Sequence, residues 1–442
     1  MRQHLKSIVE HIPYGIGHWL ACVPFSWRLG RTYGRMRTEC AALECADDGA
    51  NERYAVEHFR KVFEYAREKF PCYRELYKSA GVLGLKIRSL DDIAKVPTID
   101  KSWCRCHTDE FSGAYRLCTG GTTGSPMWFW MDKACWAREW AHMHTIWETL
   151  GYSYRDLKAT LRGKNMGNRP FEYNPVHNEY RLNTYLPIEK WKDELLGLFD
   201  RRKIKYIHPF PSSLHEFFLN LERVCTSDEI QKVLGGIRGL LLSSEFPAPH
   251  MVAKYQEYSL PYVSWYGHSE MCVLAYDSSG RNGGAFANRY HPFVSYGLAE
   301  ETDGHLIGTS YHNFAMPLIR YDTGDLVEAT RKTADGLLQE FAVKEGRAND
   351  YIVDKNGKRV SLTALLYGRN HKIFEYATSV QIGQKKEGKA VVHVCLPDGE
   401  ECDSQNIPLM FDFSGVDIDF EYVRDSQPTR TKAGKVRLKI EG

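Results

Sequence analysis

Between residues 190 and 300 the sequence alternates helix-like and strand-like runs, and this alternation constrains the fold more than any other feature. "WKDELLGLFD" is helical, "IKYIHPF" extended and "PSSLHEFFLNLERV" helical again. "IRGLLLSSEF" reads as strand and loop, "PAPHMVAKYQEYS" as helix, "PYVSWYGHSE" as strand and loop. Short apolar strands separated by amphipathic helices pack as parallel strands with the helices laid over them. An α/β core is expected.

The flanks differ in texture. Residues 1–110 read as mostly helical: Tyr54, Phe59, Val62, Phe63 and Tyr65 recur at helical spacing before Pro71, and Asp100 is a candidate N-cap after "KVPTI". After residue 300 the pattern turns hairpin-like in "GHLIGTSYHN", "MPLIRYDTGDLVEAT" and "GLLQEFAVKEGR". The tail carries short strands with helical connections. We therefore expect a large N-terminal domain over 1–345, with a β-rich portion, and a small α+β domain over 346–442. In the helix after "MWFWMD", Trp136, Trp140 and Trp147 share one face, which suits a ligand wall but more simply a packed core.

A formal net charge of +2 on 442 residues argues against general binding to nucleic acid or anionic membrane. Twelve cysteines, irregularly spaced, suggest reduced thiols in a cytoplasmic protein, and Cys104 with Cys106 is too tight for the usual zinc spacing. "YGIGHWLACVPFSW" (14–27) is shorter than the roughly 20 apolar residues of a membrane span, so no transmembrane segment is expected.

Five stretches carry candidate chemistry. In "CTGGTTGSP" (118–126), Gly120, Gly121 and Gly124 permit close backbone approach, while Thr119, Thr122, Thr123 and Ser125 add hydroxyls suited to phosphate oxygens. No Gly-Lys-Ser/Thr follows, and the next run is a strand, so this is neither a P-loop nor a dinucleotide loop. "WYGHSE" offers Tyr266 to stack on a base and Glu270 to hold Mg²⁺. "YDTGD" presents Asp325 after a glycine turn, suited to two ribose hydroxyls. "EGRANDYI" places Arg347 beside the domain joint, and "PTRTKAGKVR" puts Lys435 on a glycine turn. Each alone is equally an ordinary turn. Their order is the signal.

With these motifs in this order the chain resembles the adenylate-forming superfamily, and within it the phenylacetate–CoA ligase branch that includes CapK-type capsular-polysaccharide proteins. The family's "TSGTTGxP" stands as "CTGGTTGSP", "SSE" as Ser243-Ser244-Glu245, "YGxSE" as "YGHSE", "GRxxDxI" as "GRANDYI" and "GKxR" as "GKVR", with "PLIRYDTGD" intact. "HPFPSSL" looks like the branch's "YPSSL" with a proline inserted. Two departures stand out: Gly120 replaces the usual serine, and the paired cysteines that some members carry after the "TGD" aspartate are absent.

The resemblance implies that Thr119–Ser125 hold the β- and γ-phosphates of ATP, that Ser244, Glu245, Tyr266 and Gly267 border the adenine, and that Ser269 sits near the α-phosphate. It implies Mg²⁺ on Glu270, ribose on Asp325 with Arg347 close by, a hinge at Asn349 or Asp350, and Lys435 arriving with the small domain. The implied activity is ATP-dependent activation of a small-molecule carboxylic acid as acyl-AMP, then transfer to coenzyme A, an amine or a sugar. An amide- or ester-forming ligase of surface-polysaccharide synthesis and a non-catalytic scaffold are the alternatives. A homodimer would be ordinary for the branch. Arg201, Arg202, Lys203 and Lys205 form a basic cluster that suits either coenzyme A phosphates or a solvated face. Trp128, Trp130 and Trp136 permit an aromatic pocket, and His208, His215 and His268 could position acid or acceptor, although single histidines are usually structural.

Overall fold

The computed structural model describes residues 9–10, 12–118, 127–162, 166–184, 186–243, 245–345, 351–367, 369, 371–397, 406–430 and 436–441. Its centre is an eight-stranded sheet. The strands β1 (Tyr115–Cys118) and β2 (Trp128–Met131) form a separate antiparallel pair, the two extended segments expected beside the glycine loop. Then follow β3 (Leu157–Leu161), β4 (Phe171–Asn174), β5 (Glu179–Leu182), β6 (Ile204–Pro209), β7 (Gly239–Ser243), β8 (Tyr262–Gly267), β9 (Leu274–Asp277) and β10 (His291–Pro292). They lie in the order β10-β9-β8-β7-β6-β3-β5-β4. β5, β3, β6, β7 and β8 run parallel, while β4 and β9 pair antiparallel beside them.

The expected alternation is present: helices Lys192–Arg201, Pro211–Val224, Ser227–Leu234 and Pro249–Glu257 connect β5 through β8. Side chains alternate across the sheet. Leu157, Ala159, Leu161, Ile207, Leu240 and Leu242 point to the face covered by these helices. Tyr206, Leu241, Val263 and Trp265 point to the other, against Ile146 and Trp147 of helix Cys135–Glu148. Because both faces are covered, every residue of β3 and β7 is buried. The tryptophan stripe divides: Trp147 is core, whereas Trp136 is 40% exposed.

Helices Arg31–Glu44, Asp48–Lys69 and Pro71–Ser79 lead into the sheet. Asp100 caps Lys101–His107 as expected, accepting from the Trp103 amide at 2.7 Å. A four-stranded antiparallel sheet follows, of β11 (Gly297–Thr302), β12 (His305–Ser310), β13 (Tyr321–Lys332) and β14 (Leu338–Glu345). The last residues form a pair, β15 (Tyr351–Val353) with β16 (Arg359–Ser361), and a sheet of order β19-β18-β17-β20: β17 (Ser379–Lys386), β18 (Lys389–Cys395), β19 (Asp419–Asp425) and β20 (Lys439–Ile440). Ile352, Leu365, Phe374, Ile382 and Val392 belong to a core drawn entirely from this segment. It meets the large sheet's helices through Arg430 on Glu216 at 2.6 Å, His215 Nε2 on the Ala377 carbonyl at 3.2 Å, and His250 stacked on Phe374 at 3.9 Å.

No helix among the described residues is long and apolar enough to cross a membrane, and the ten cysteines whose side chains are described are free thiols.

One buried guanidinium ties the helical N-terminal segment to the β-rich part. Arg320, 5% exposed, donates from Nη1 to the carbonyls of Ala94 and Val96 at 2.8 and 2.5 Å, and pairs with Glu300. Removing it strands those acceptors and a carboxylate that burial already pushes toward the neutral form. Arg320→Met is expected to lose about 3–5 kcal/mol in urea denaturation. A loss below about 1 kcal/mol would show that this tie adds little.

Candidate active site

Parallel strands present their carboxyl ends on one edge of the sheet, where the chain leaves regular pairing and ligand-binding loops begin. β8 ends there in Tyr266 and Gly267, and the next residues are His268, Ser269 and Glu270. Gly267 and Ser269 are exposed. Met271 has φ +54°, an unusual left-handed backbone for a side chain of this size, and turns the chain toward β9.

β13 approaches from the other sheet. Its register against β12 slips between His305–Leu326 and Ile307–Asp322. The intervening "DTGD" turns on Gly324 at φ +78°, with the Gly324 amide bonded to Asp322 at 2.8 Å. This irregularity brings Asp325 to Tyr266, whose hydroxyl donates to Asp325 Oδ2 at 2.5 Å. Burial first, and the Asp325 carboxylate second, push the Tyr266 phenol well above its ordinary value, so it remains a donor. Its ring is wedged edge-on against Phe341, at 5.5 Å between centroids.

Glu270 is held as firmly. Its Oε2 accepts from His268 Nδ1 at 3.3 Å, and its Oε1 from the Tyr321 hydroxyl at 3.1 Å. Burial opposes its charge, yet the His268 bond and charge and the Tyr321 bond lower its pKa to about 2. Burial likewise opposes a charge on His268, but Cys272, 3.5 Å from Nε2, and Glu270 raise it well above the ordinary histidine value. Both shifts favour the charged pair, an imidazolium facing a carboxylate.

Glu245, beyond β7, accepts from the Ser212 amide at 2.9 Å and so meets the "PSS" start of helix Pro211–Val224.

The structure thus gathers Glu245, Tyr266, Gly267, Ser269, Glu270 and Asp325 on one rim. Thr119, Gly120, Gly121, Thr122, Thr123, Gly124, Ser125, Ser244, Arg347, Asn349, Asp350 and Lys435 lie outside the described residues. Two members of the basic cluster have protein partners: Lys205 meets Asp156 at 2.6 Å, and Arg202 lies 3.9 Å from the Tyr14 ring centroid. Tyr321 and Arg320 carry roles that the motif reading did not give them, though both stand inside "PLIRYDTGD".

The donor set fits Mg²⁺ in one way. Among the described residues no three His, Cys, Asp or Glu side chains converge as a metal site. Glu270 accepts one hydrogen bond on each oxygen and keeps lone pairs, and Mg²⁺ is commonly held by one or two carboxylates together with substrate phosphates. The residues therefore suit a magnesium ion that arrives with a nucleotide.

The fold that carries this rim is that of the adenylate-forming ligases. The chain overlays on 2-hydroxyisobutyryl-CoA ligase in the postadenylation state with R3-HIB-AMP, with a TM-score of 0.60 and 16% identity over 88% of each chain. The same ligase in its thioesterification state, with 2-HIB-AMP and CoA, gives a TM-score of 0.51 at 16% identity over 90% of each chain. The acyl acid amido synthetase AtGH3.15 in complex with 2,4-DB gives 0.50 at 12% identity, covering 88% of this chain and 89% of that one. No family model and no curated protein matches the sequence.

Glu270→Gln removes the carboxylate facing His268. The pKa of His268, followed by ¹⁵N NMR of its ring nitrogens, is expected to fall in the variant relative to the wild type. Glu270's folded pKa is depressed from 4.5, so its stabilisation is complete above 4.5 and is lost as pH falls through about 2. The stability difference between wild type and Glu270→Gln should therefore shrink on acidification below 4.5. An unchanged difference, or a His268 pKa that does not fall in the variant, would remove the pair from the site's electrostatics.

Proposed function

We propose that the protein is an ATP-dependent carboxylate ligase that forms an acyl-adenylate. The observation that supports it is the rim itself: a carboxylate oriented by Tyr266, at Asp325, beside one kept ionised by His268, at Glu270, in a fold shared with ligases of this class.

In this reading Asp325 accepts hydrogen bonds from the ribose hydroxyls, with Tyr266 fixing its orientation and offering its ring to the adenine. Ser244, Glu245 and Gly267 border the base, Ser269 lies by the α-phosphate, Thr119–Ser125 cradle the β- and γ-phosphates, and Arg347 stands near the ribose. A carboxylate oxygen of the acid attacks the α-phosphorus as the bond to pyrophosphate breaks, leaving acyl-AMP. Two anions approach each other, so the barrier is largely electrostatic. Magnesium, when bound, supplies Lewis-acid neutralisation of the phosphates. His268 keeps Glu270 ionised for it, and Lys435 brings the second cation from the small domain, 346–442, turning near Asn349 or Asp350. A thiol of coenzyme A, an amine or a sugar hydroxyl then displaces AMP. The basic residues near Arg201 are candidates for coenzyme A, and a surface-polysaccharide acceptor would be the amine or sugar case.

Pyrophosphate–ATP exchange over a panel of acids tests the first half-reaction without an acceptor. Lys435→Ala is expected to slow exchange by about 10²–10³ with ATP binding retained, the effect typical of one lost charge-stabilising donor. Asp325→Ala should instead raise the KM for ATP. A Lys435→Ala protein exchanging at the wild-type rate would exclude that lysine from the chemistry, and no exchange with any acid would count against the ligase.

A further inference from the structure

The segment that opens the chain carries large apolar side chains on its outer side. Ile16, Trp19 and Trp27 are 71%, 65% and 80% exposed, three of the four large apolar residues more than half exposed among those described. They stand within twelve positions. Trp19 and Trp27 are also the most exposed of the ten tryptophans, a residue type that is ordinarily well covered. Helix Tyr14–Gly17 runs on into a 3₁₀ turn, His18–Cys22. A spacing of three sets side chains in line along such a turn, and Pro13, Ile16, Trp19 and Cys22 are all exposed. Gly17 and Ala21 are buried on the other side. The segment is apolar on both sides, and its outer side is open.

Both halves of the segment are seated on one edge of the large sheet. Tyr14 stacks on Tyr180, the second residue of β5, at 5.9 Å, and a Cβ on Gly17 would strike Pro175 at 2.9 Å. Arg28 donates to the carbonyl of the next residue, Val176, at 3.1 Å, and the Phe25 ring lies 5.4 Å from that of Tyr154. Pro175 and Val176 precede β5, and Tyr154 precedes β3, so the two tryptophan-bearing turns meet at the amino ends of these strands. The same edge is basic. Around the starts of β3 and β6, positions 153–156 and 200–205 hold five cations against two acids, Asp156 and Asp200. Lys205 is matched by Asp156 and Arg202 lies on the Tyr14 ring, while Arg155, Arg201 and Lys203 are exposed. Between Glu10 and Glu39 the chain has no acid at all, a distribution that the whole-chain charge of +2 hides. The rim stands at the opposite, carboxyl edge, roughly 20 Å away along a strand of six residues such as β6.

We propose that this amino edge docks on a membrane surface: Ile16, Trp19 and Trp27 enter the headgroup zone of a bilayer, while Arg155, Arg201 and Lys203 meet the phosphates of anionic lipids. Tryptophan suits that depth because its indole is apolar in body and polar at its N–H. An arginine or lysine near an anionic leaflet adds about fivefold to partitioning, an effect that falls off within a Debye length. A second copy of the chain fits the face less well, since a symmetric pair would set these cations against one another. With the amino edge on the bilayer, the rim at the other edge stays open to small molecules in solution.

The test is co-sedimentation of the full chain with vesicles of phosphatidylcholine alone and of phosphatidylcholine mixed with phosphatidylglycerol. Binding is expected on the mixed vesicles, weaker by about tenfold or more on phosphatidylcholine alone, and falling as salt rises. Trp19→Ser with Trp27→Ser should weaken binding to the mixed vesicles by about tenfold or more. Arg201→Gln with Lys203→Gln should do the same there while leaving the phosphatidylcholine value unchanged. All four side chains are exposed, so both double variants should unfold at the wild-type temperature, and either one decides the matter if the other fails to fold. No binding to mixed vesicles, equal binding to both kinds, or binding unchanged by the tryptophan substitutions overturns the proposal. So does a loss of coenzyme A affinity in Arg201→Gln with Lys203→Gln while vesicle binding is kept, which gives the cations to the cofactor. A wild-type dimer that the tryptophan substitutions dissolve, with no vesicle binding by the wild type, gives the face to a second copy and overturns it too. Vesicle binding needs no turnover, so each outcome leaves the ligase reading where it stands.

Discussion

The five parallel strands β5, β3, β6, β7 and β8 are covered on both faces, and this double burial governs where chemistry is possible in the molecule. Inside such a sheet a side chain meets only other side chains, so a polar group there must find a partner or destabilise the fold. At the carboxyl ends the constraint lifts. Tyr266, His268, Glu270 and Glu245 sit at those ends, and β13 adds Asp325 from a second sheet. The rim is built by two sheets converging. That is why Arg320 matters to it: the residue after it is Tyr321, the donor to Glu270.

Much of this architecture was legible in the chain. β7 and β8 announce themselves as apolar runs ending in small polar residues, and Asp100 caps its helix because an aspartate there can reach the Trp103 amide. β3 and β5 were not legible. Lys158 and Thr160 interrupt one and Glu179 and Arg181 the other, which breaks the apolar texture expected of a strand buried on both sides. The polar pairs form only when the two strands are neighbours, information that no local window holds. The same holds at the rim. The "YGHSE" and "YDTGD" motifs mark Glu270 and Asp325, but that Tyr266 reaches Asp325 across 59 positions follows from the register slip in β13. His268 looks like a lone histidine in sequence. Its significance comes from Glu270, two residues on, folding back to it.

Histidine charge separates two kinds of site. His268 is pushed above the ordinary value by Cys272 and Glu270 against burial, whereas His208, His215 and His250 are pushed below it, chiefly by burial. The first kind stands at the rim, bonded to Glu270. The second supplies neutral imidazoles, which both donate and accept, and which suit a cavity or a packed boundary where a full charge would be costly.

The C-terminal segment closes its hydrophobic core on itself, and among the described residues its contacts with the helices of the large sheet include an ion pair, a histidine–carbonyl bond and a ring stack. A body bounded in this way keeps its own interior dry wherever it is placed, while the clasps that hold it here are buried, His215 being 1% exposed. The resting position is still well defined, because a guanidinium–carboxylate pair and a face-to-face ring contact are both directional. Such a joint acts like a latch: it settles in a particular place.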